Sequence, residues 1–405
     1  MALGTHRRRR ASNSGGDPLM SPDLERLVPA HVRRFQAYIP SKPDHVLCAL
    51  YGCQRLLRLN NNENALGPPA KAAQVIDRFA PPRASIYPSG DVYDLRLALA
   101  ERFGLEPDQF IVGNGANEVI AFVIKAFCQE GDNIITADKT FAVYEWVAQF
   151  SGFEARLVPL SDFAFNDQAM LAAIDGRTKV LFVCNPNNPT GTYWSREKLV
   201  NFLDTVAGRQ IVVVDEAYAE FVEKPDFPDA MALIGRYPNL VVFRTFSKMF
   251  ALAGLRIGYL AASPEVADVI RRTCVVYSVN SLAQEAALAA LGDEEHVVKT
   301  RAMVAGAKAF VTRHLDALGL AHVAGEGNFI MVKLPLSDSL AYRQLMARGV
   351  MVRTMTGFRF PNYIRVTLST EGPMQAFVEA LAAILPGGRS RKKNKNQSRA
   401  EAQRR

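Results

Sequence analysis

Between about residues 90 and 290 the chain repeats one pattern, a short unbroken apolar run followed by a stretch whose apolar residues return every three or four positions. The runs FIVGNG (110–115), NIITAD (133–138), KVLFVCN (179–185), QIVVVDEA (210–217) and LVVFRTF (240–246) predict strands. The periodic stretches 116–129, 143–151, 167–174, 195–206 and 281–292 predict helices. Strands that are apolar throughout, rather than in alternation, are expected in a parallel sheet covered on both faces. The fold class is therefore α/β, with a mostly parallel central sheet in a large domain. After about residue 300 a long helical stretch (296–318) leads into NFIMVKL (328–334), GVMVRTM (349–355), YIRVTLS (363–369) and a last helix near 372–384. That order predicts a smaller α+β domain. The expected division is a disordered basic tail (1–24), an N-terminal segment packing on the small domain (25–80), the large domain (81–295), the small domain (296–385) and a second disordered basic tail (386–405). No internal repeats are seen.

In an open parallel sheet, ligands bind outside the carboxyl ends of the strands. Five such ends carry polar or aromatic groups. FIVGNG runs into Ala116, Asn117 and Glu118, and NIITAD into Thr140 and Phe141. KVLFVCN continues as the loop 185–191, QIVVVD ends at Asp215 with Tyr218 nearby, and LVVFRTF ends at Ser247 and Lys248. Lys248 stands out, because it sits in an apolar stretch between Ser247 and Arg256. Burial disfavours a charged lysine, so such an amine either reaches back to solvent or has chemistry to perform.

Charge changes the picture less than its total suggests. The net charge is +8, but residues 1–20 carry +3 and residues 386–405 carry +7, so the body between them is slightly acidic. Basic polar ends without a recognition fold imply no specific nucleic-acid partner. No run is long and apolar enough for a membrane span, and no secretory signal is evident. The five cysteines (Cys48, Cys53, Cys128, Cys184, Cys274) and six histidines show no metal-ligand spacing, and the cysteines suit reduced thiols. No metal site and a cytoplasmic location are expected.

The motifs YIPSKP (38–43), LNNNENALGPP (59–69), YPSG (87–90), GNGANE (113–118), TFAVY (140–144), NPNNPTG (185–191), DEAY (215–218), TFSKMFALAGLRIGY (245–259), YSVNSLAQ (277–284), NFIMVK (328–333) and VMVRTMTGF through YIRVTLST (350–370) occur in order over nearly the whole chain. This set resembles the fold-type I, pyridoxal-phosphate-dependent aminotransferases of classes I and II, and within them the histidinol-phosphate branch. The resemblance implies pyridoxal 5′-phosphate as cofactor, with Lys248 bonded to its aldehyde and acting as proton carrier. It implies Asp215 against the ring nitrogen, Tyr218 and Asn188 on the phenolic oxygen, and Phe141 stacked on the ring. The phosphate would be met by the backbone of Ala116 and Asn117 and by Thr245, Ser247 and Arg256, with Tyr87 reaching in from the partner of a homodimer. For substrate, it implies Arg365 on the α-carboxylate, Arg353 on a substrate phosphate, and Tyr38 and Asn62 at the entrance.

The activity so implied is ping-pong transamination between an amino donor and a keto acceptor, with histidinol phosphate and 2-oxoglutarate as the leading pair. An aromatic or other 2-oxo acid acceptor, or decarboxylation of an amino acid O-phosphate, remain alternatives. Departures from the family pattern fall at Asp138 and Lys139, at Asn117 and at Ala65. A dinucleotide-binding reading of FIVGNGANE is disfavoured by Glu118 where a third glycine is needed, and it leaves Lys248 and Asp215 without a role. A regulator using the same fold would need an attached DNA-binding unit, which the roughly 35 residues before the motifs do not provide.

Overall fold

A computed structural model describes residues 26–36 and 42–386. Tyr38, the segment before residue 26 and the segment after Pro386 lie outside the described residues.

The strands are β1 (Leu57–Leu59), β2 (Phe110–Gly113), β3 (Asn133–Ala137), β4 (Glu154–Val158), β5 (Thr178–Cys184), β6 (Ile211–Asp215), β7 (Leu240–Thr245), β8 (Gly258–Ala262), β9 (His322–Val323), β10 (Phe329–Lys333), β11 (Val350–Thr354) and β12 (Tyr363–Thr367). Seven of them form one sheet in the order β2-β8-β7-β6-β5-β3-β4. Six run parallel, and β8 alone is antiparallel to both its neighbours, β2 and β7. The five strands expected in this region are all present, within a residue or two of their expected ends. Two others were not expected. β8 follows the lysine stretch so closely that its apolar run merges with it, and β4 carries Glu154 and Arg156 on a half-exposed edge, where charge masks the strand pattern.

The inner strands are apolar throughout because both faces are covered. Val212, Val213, Val214, Val241 and Val242 have no exposed surface. The helices Ala116–Phe127, Val143–Phe150, Asp167–Ala172 and Arg196–Val206 follow strands in the alternating manner that a parallel sheet requires. Ser195 and Asn166 cap two of them by accepting the backbone N–H of Lys198 and Ala169.

The remaining strands make a second sheet in the order β1-β11-β12-β10-β9. β1 pairs parallel with β11, while β10–β12, β11–β12 and β9–β10 are antiparallel. In the register of β11 and β12, Arg353 lies directly opposite Arg365. The early segment divides between the two sheets. Leu47 packs with Met346 and Met351, and β1 extends the second sheet, whereas helix Ala70–Arg78 packs on helix Ser281–Leu291. That helix pair is lined by fully buried alanines, Ala72, Ala283, Ala286 and Ala287, which permit a close approach. Among the described residues no helix is long and apolar enough to cross a membrane.

Candidate active site

Lys248 stands three residues past the end of β7, in the loop that returns as β8. Its Nζ donates to the carbonyl of Asn61 at 2.7 Å. The residue is half-buried. Burial, with Arg365 nearby, pulls its pKa down to about 8. A lysine so placed spends a useful fraction of its time as a neutral amine near physiological pH.

Asp215 closes β6 and is buried. Its carboxylate accepts from the Tyr144 hydroxyl at 2.5 Å and from the Ala217 N–H at 3.0 Å. Burial raises its pKa against the pull of those donors, and no cation among the described residues pairs with it. A buried carboxylate in that state is suited to a ligand that brings its own N–H cation. Tyr144 is a site residue that sequence reasoning missed. It lies three residues after Phe141, with the two rings edge to face at 5.6 Å, and it stacks on Phe182 at 4.8 Å. The available signal was a tyrosine one helical turn beyond an expected ring-stacking residue.

Tyr218, also buried, accepts from Asn62 Nδ2 at 2.9 Å, and burial pushes its pKa up to about 12. Asn62 is fixed in turn by the Thr367 hydroxyl, which accepts its backbone N–H at 2.9 Å. Asn188 accepts from Arg365 Nη1, and Arg365 Nη2 donates to the carbonyl of Asn60 at 2.8 Å. Arg365 is 5% exposed, burial lowers its pKa to about 10, and its buried Nε has no partner. The strand pairing adds Arg353, half-buried, from the opposite strand. Both guanidiniums lie over the ring of Phe358, at 5.6 Å and 5.9 Å. Two facing arginines without a carboxylate between them form an anion site.

At the next strand end, Ala116 and Asn117 open helix Ala116–Phe127 behind Gly115, whose φ is +85°. A Cβ at Gly115 would run into the Arg256 guanidinium, so the glycine makes room for that cation over the helix N-terminus. Thr245 and Ser247 are buried alongside, with Thr245 Oγ1 accepting the Ser247 N–H at 3.1 Å. Glu118, the residue that spoiled the dinucleotide pattern, turns back to accept the N–H of Asn114 at 2.6 Å and the Ser278 hydroxyl at 2.7 Å.

The two sheets also meet through bare backbone. Gly191, at φ +72°, and Gly325 pack so closely that a Cβ on either would strike the other's main chain, and Glu326 donates its N–H to the Gly191 carbonyl at 2.6 Å. Of the expected residues that are described, Tyr87 alone is placed away from this centre within a single chain. It is 82% exposed, with its ring 5.0 Å from that of Tyr277. A surface cavity of about 960 Å³ between 317–321, 333–335 and 379–386 includes none of these residues.

A pyridoxal-phosphate site needs an aldehyde-reactive amine, a carboxylate for a protonated ring nitrogen and an anion cradle, and this geometry offers all three. The family model for aminotransferase class I and II matches residues 54–381. The chain belongs to the class I and II aminotransferases. It is thus a pyridoxal-phosphate-dependent enzyme that transfers amino groups, with the α/β fold expected of it. This aminotransferase is 38% identical over 361 residues to a histidinol-phosphate aminotransferase of Anaeromyxobacter sp., covering 89% of this chain and 99% of the relative. It is 39% identical to histidinol-phosphate aminotransferase 2 of Pseudomonas fluorescens, covering 90% and 99%. In fold it is similar to the histidinol-phosphate aminotransferase of Sinorhizobium meliloti solved with pyridoxal-5′-phosphate, with a TM-score of 0.78 at 24% identity, covering 90% of this chain and 97% of that one. It is similar to a single mutant of the aspartate aminotransferase of Thermus thermophilus as well, with a TM-score of 0.76 at 24% identity over 88% and 99%.

Proposed function

We propose that this aminotransferase acts on histidinol phosphate and 2-oxoglutarate, as a homodimer in the cytoplasm. The observation that carries the reading is the facing pair Arg353 and Arg365, free of carboxylate partners among the described residues, with Arg365 near Lys248. A pocket that takes a phosphate-bearing substrate and a dicarboxylate in turn calls for two guanidiniums, Arg353 for the phosphate and Arg365 for the carboxylate, and relatives named for histidinol phosphate support the choice between substrates.

Bound here, the cofactor supplies an electron sink for the pair left when the substrate's Cα proton departs. The neutral Nζ of Lys248 takes up that proton and returns it. Asp215, held by Tyr144 and the Ala217 N–H, would pair with the protonated ring nitrogen. Tyr218 and Asn188 would serve the ring's phenolic oxygen and Phe141 a ring face, and the Ala116 and Asn117 N–H groups with Thr245, Ser247 and Arg256 would hold the phosphate. Arg365 grips the carboxylate of the dicarboxylic partner bidentately, Arg353 takes the substrate phosphate, and Asn62 lines the entrance. Tyr87 completes the phosphate cradle of the neighbouring subunit.

A half-reaction panel tests the substrate. The absorbance of the bound cofactor would be followed after addition of glutamate, histidinol phosphate, phenylalanine or phosphothreonine. Rapid change with glutamate and histidinol phosphate is expected. Silence with histidinol phosphate alongside a response to phenylalanine would move the assignment to aromatic substrates, and release of CO₂ from phosphothreonine would move it to decarboxylation. Arg353→Ala is expected to raise KM for histidinol phosphate by about tenfold or more while leaving glutamate nearly untouched, since a charge-assisted contact contributes about 1.5–3 kcal/mol.

A further inference from the structure

The turn between β11 and β12 is tied down more firmly than its exposure explains. Asp338, buried at the head of helix Asp338–Met346, accepts the N–H groups of Met355 and Thr356 at 2.9 and 2.8 Å and the Thr356 hydroxyl at 2.8 Å. Three residues on, Arg359 holds a left-handed backbone, φ +60°, which a non-glycine side chain adopts at a cost. Its guanidinium reaches across to the large sheet. Nη2 meets both carboxylate oxygens of Glu145 at 3.0 Å, and Nη1 donates to the carbonyl of Asp138 at 2.8 Å. Beside it, Lys139 Nζ lies over the Phe360 ring at 5.4 Å, and Phe360 stacks on Phe163 at 5.8 Å. Asp138 takes part in this bridge through its main-chain carbonyl and Lys139 through its side chain.

Between the two anchors sits Phe358, the ring against which Arg353 and Arg365 both lie. The two arginines depend on the turn unequally. Arg365 is also held by Asn188, by the carbonyl of Asn60 and by the Phe329 ring at 5.5 Å. Arg353 leans on Phe358 at the edge where β11 enters the turn. Glu145 belongs to helix Val143–Phe150, the helix that supplies Tyr144 to Asp215. One bidentate pair therefore ties the turn behind Arg353 to the helix behind Asp215.

We propose that Arg359, through Glu145, is a positioning residue for substrate specificity: it clamps the 355–360 turn so that Phe358 holds Arg353 ready for a phosphate-bearing substrate. The proposal rests on the reading of Arg353 as the phosphate grip. The clamp discriminates because its loss releases Arg353 and leaves Arg365 with its own contacts.

Four holoenzymes test it: wild type, Arg359→Ala, Glu145→Gln and the double variant. Each single variant is expected to raise KM for histidinol phosphate about fivefold, the upper range for one partly exposed ion pair, with KM for glutamate changed less than twofold. The double variant should be no worse than Arg359→Ala alone, because Glu145 acts through that guanidinium. Equal rises for both substrates, or effects that multiply in the double variant, overturn the proposal. If Arg359→Ala does not fold, Glu145→Gln carries the measurement alone. If the wild type does not use histidinol phosphate, the substrate reading fails separately, and inorganic phosphate as a competitive inhibitor of the glutamate half-reaction becomes the probe. A Ki raised about fivefold in Arg359→Ala then supports the clamp. An unchanged Ki, or a wild type indifferent to phosphate, sinks it.

Discussion

At Lys248 the folded chain holds a pKa of about 8 where an unburied lysine stands at 10.5. Between those values the unfolded chain binds more protons than the folded one, so stability rises with pH across that window. Below pH 8 the buried charge exerts its full penalty. Lys248→Met should therefore melt at a higher temperature than the wild-type apoprotein at pH 7, with the gap closing towards pH 10.5. Thermal scans at the two pH values check this. The same shift governs reactivity. Because only the neutral amine adds to an aldehyde, capture of cofactor by the apoprotein should be about a hundredfold slower at pH 6 than above pH 9, following the neutral fraction around a pKa of 8. Tyr144→Phe tests the neighbouring carboxylate. Losing the hydroxyl that Asp215 accepts should weaken cofactor binding about tenfold, in line with the loss of one hydrogen bond to a charged group, as read by titration of the apoprotein.

At the scale of elements, the joint between the sheets is the pair Gly191 and Gly325, and it works because neither has a side chain. Gly325→Ala would place a methyl inside the Gly191 carbonyl. It should destabilise the protein by about 1–3 kcal/mol through overpacking and loosen the loop that brings Asn188 to Arg365. Calorimetry checks the first effect and KM for glutamate the second. The central strands were legible because burial on both faces leaves an unbroken apolar run, and the strand ends then pointed to Lys248 and Asp215. What stayed hidden depends on neighbours distant in sequence. Tyr144 gains its meaning from Asp215, β8 from strands on either side, and Gly325 from a glycine more than a hundred positions earlier. Arg359 gains its meaning from Glu145, 214 positions earlier. No local pattern records such partners.

For the whole molecule, the surface around Tyr87 is the informative region. Ile86, Tyr87, Tyr93, Val275, Val276 and Tyr277 are all more than half exposed, a concentration of large apolar groups that a second copy of the chain would cover. The proposed shared site can be tested by mixing. Lys248→Ala and Tyr87→Ala chains, each nearly inactive alone, should regain activity when unfolded and refolded together. Mixed pairs would hold one intact lysine facing one intact tyrosine, giving up to about a quarter of wild-type activity from random pairing. No recovery would place Tyr87 outside the neighbour's site. Its outward-facing ring also has a genetic consequence. A chain altered at both Tyr87 and Lys248 would still pair with normal copies and leave neither shared site complete, so in excess it would act as a dominant poison.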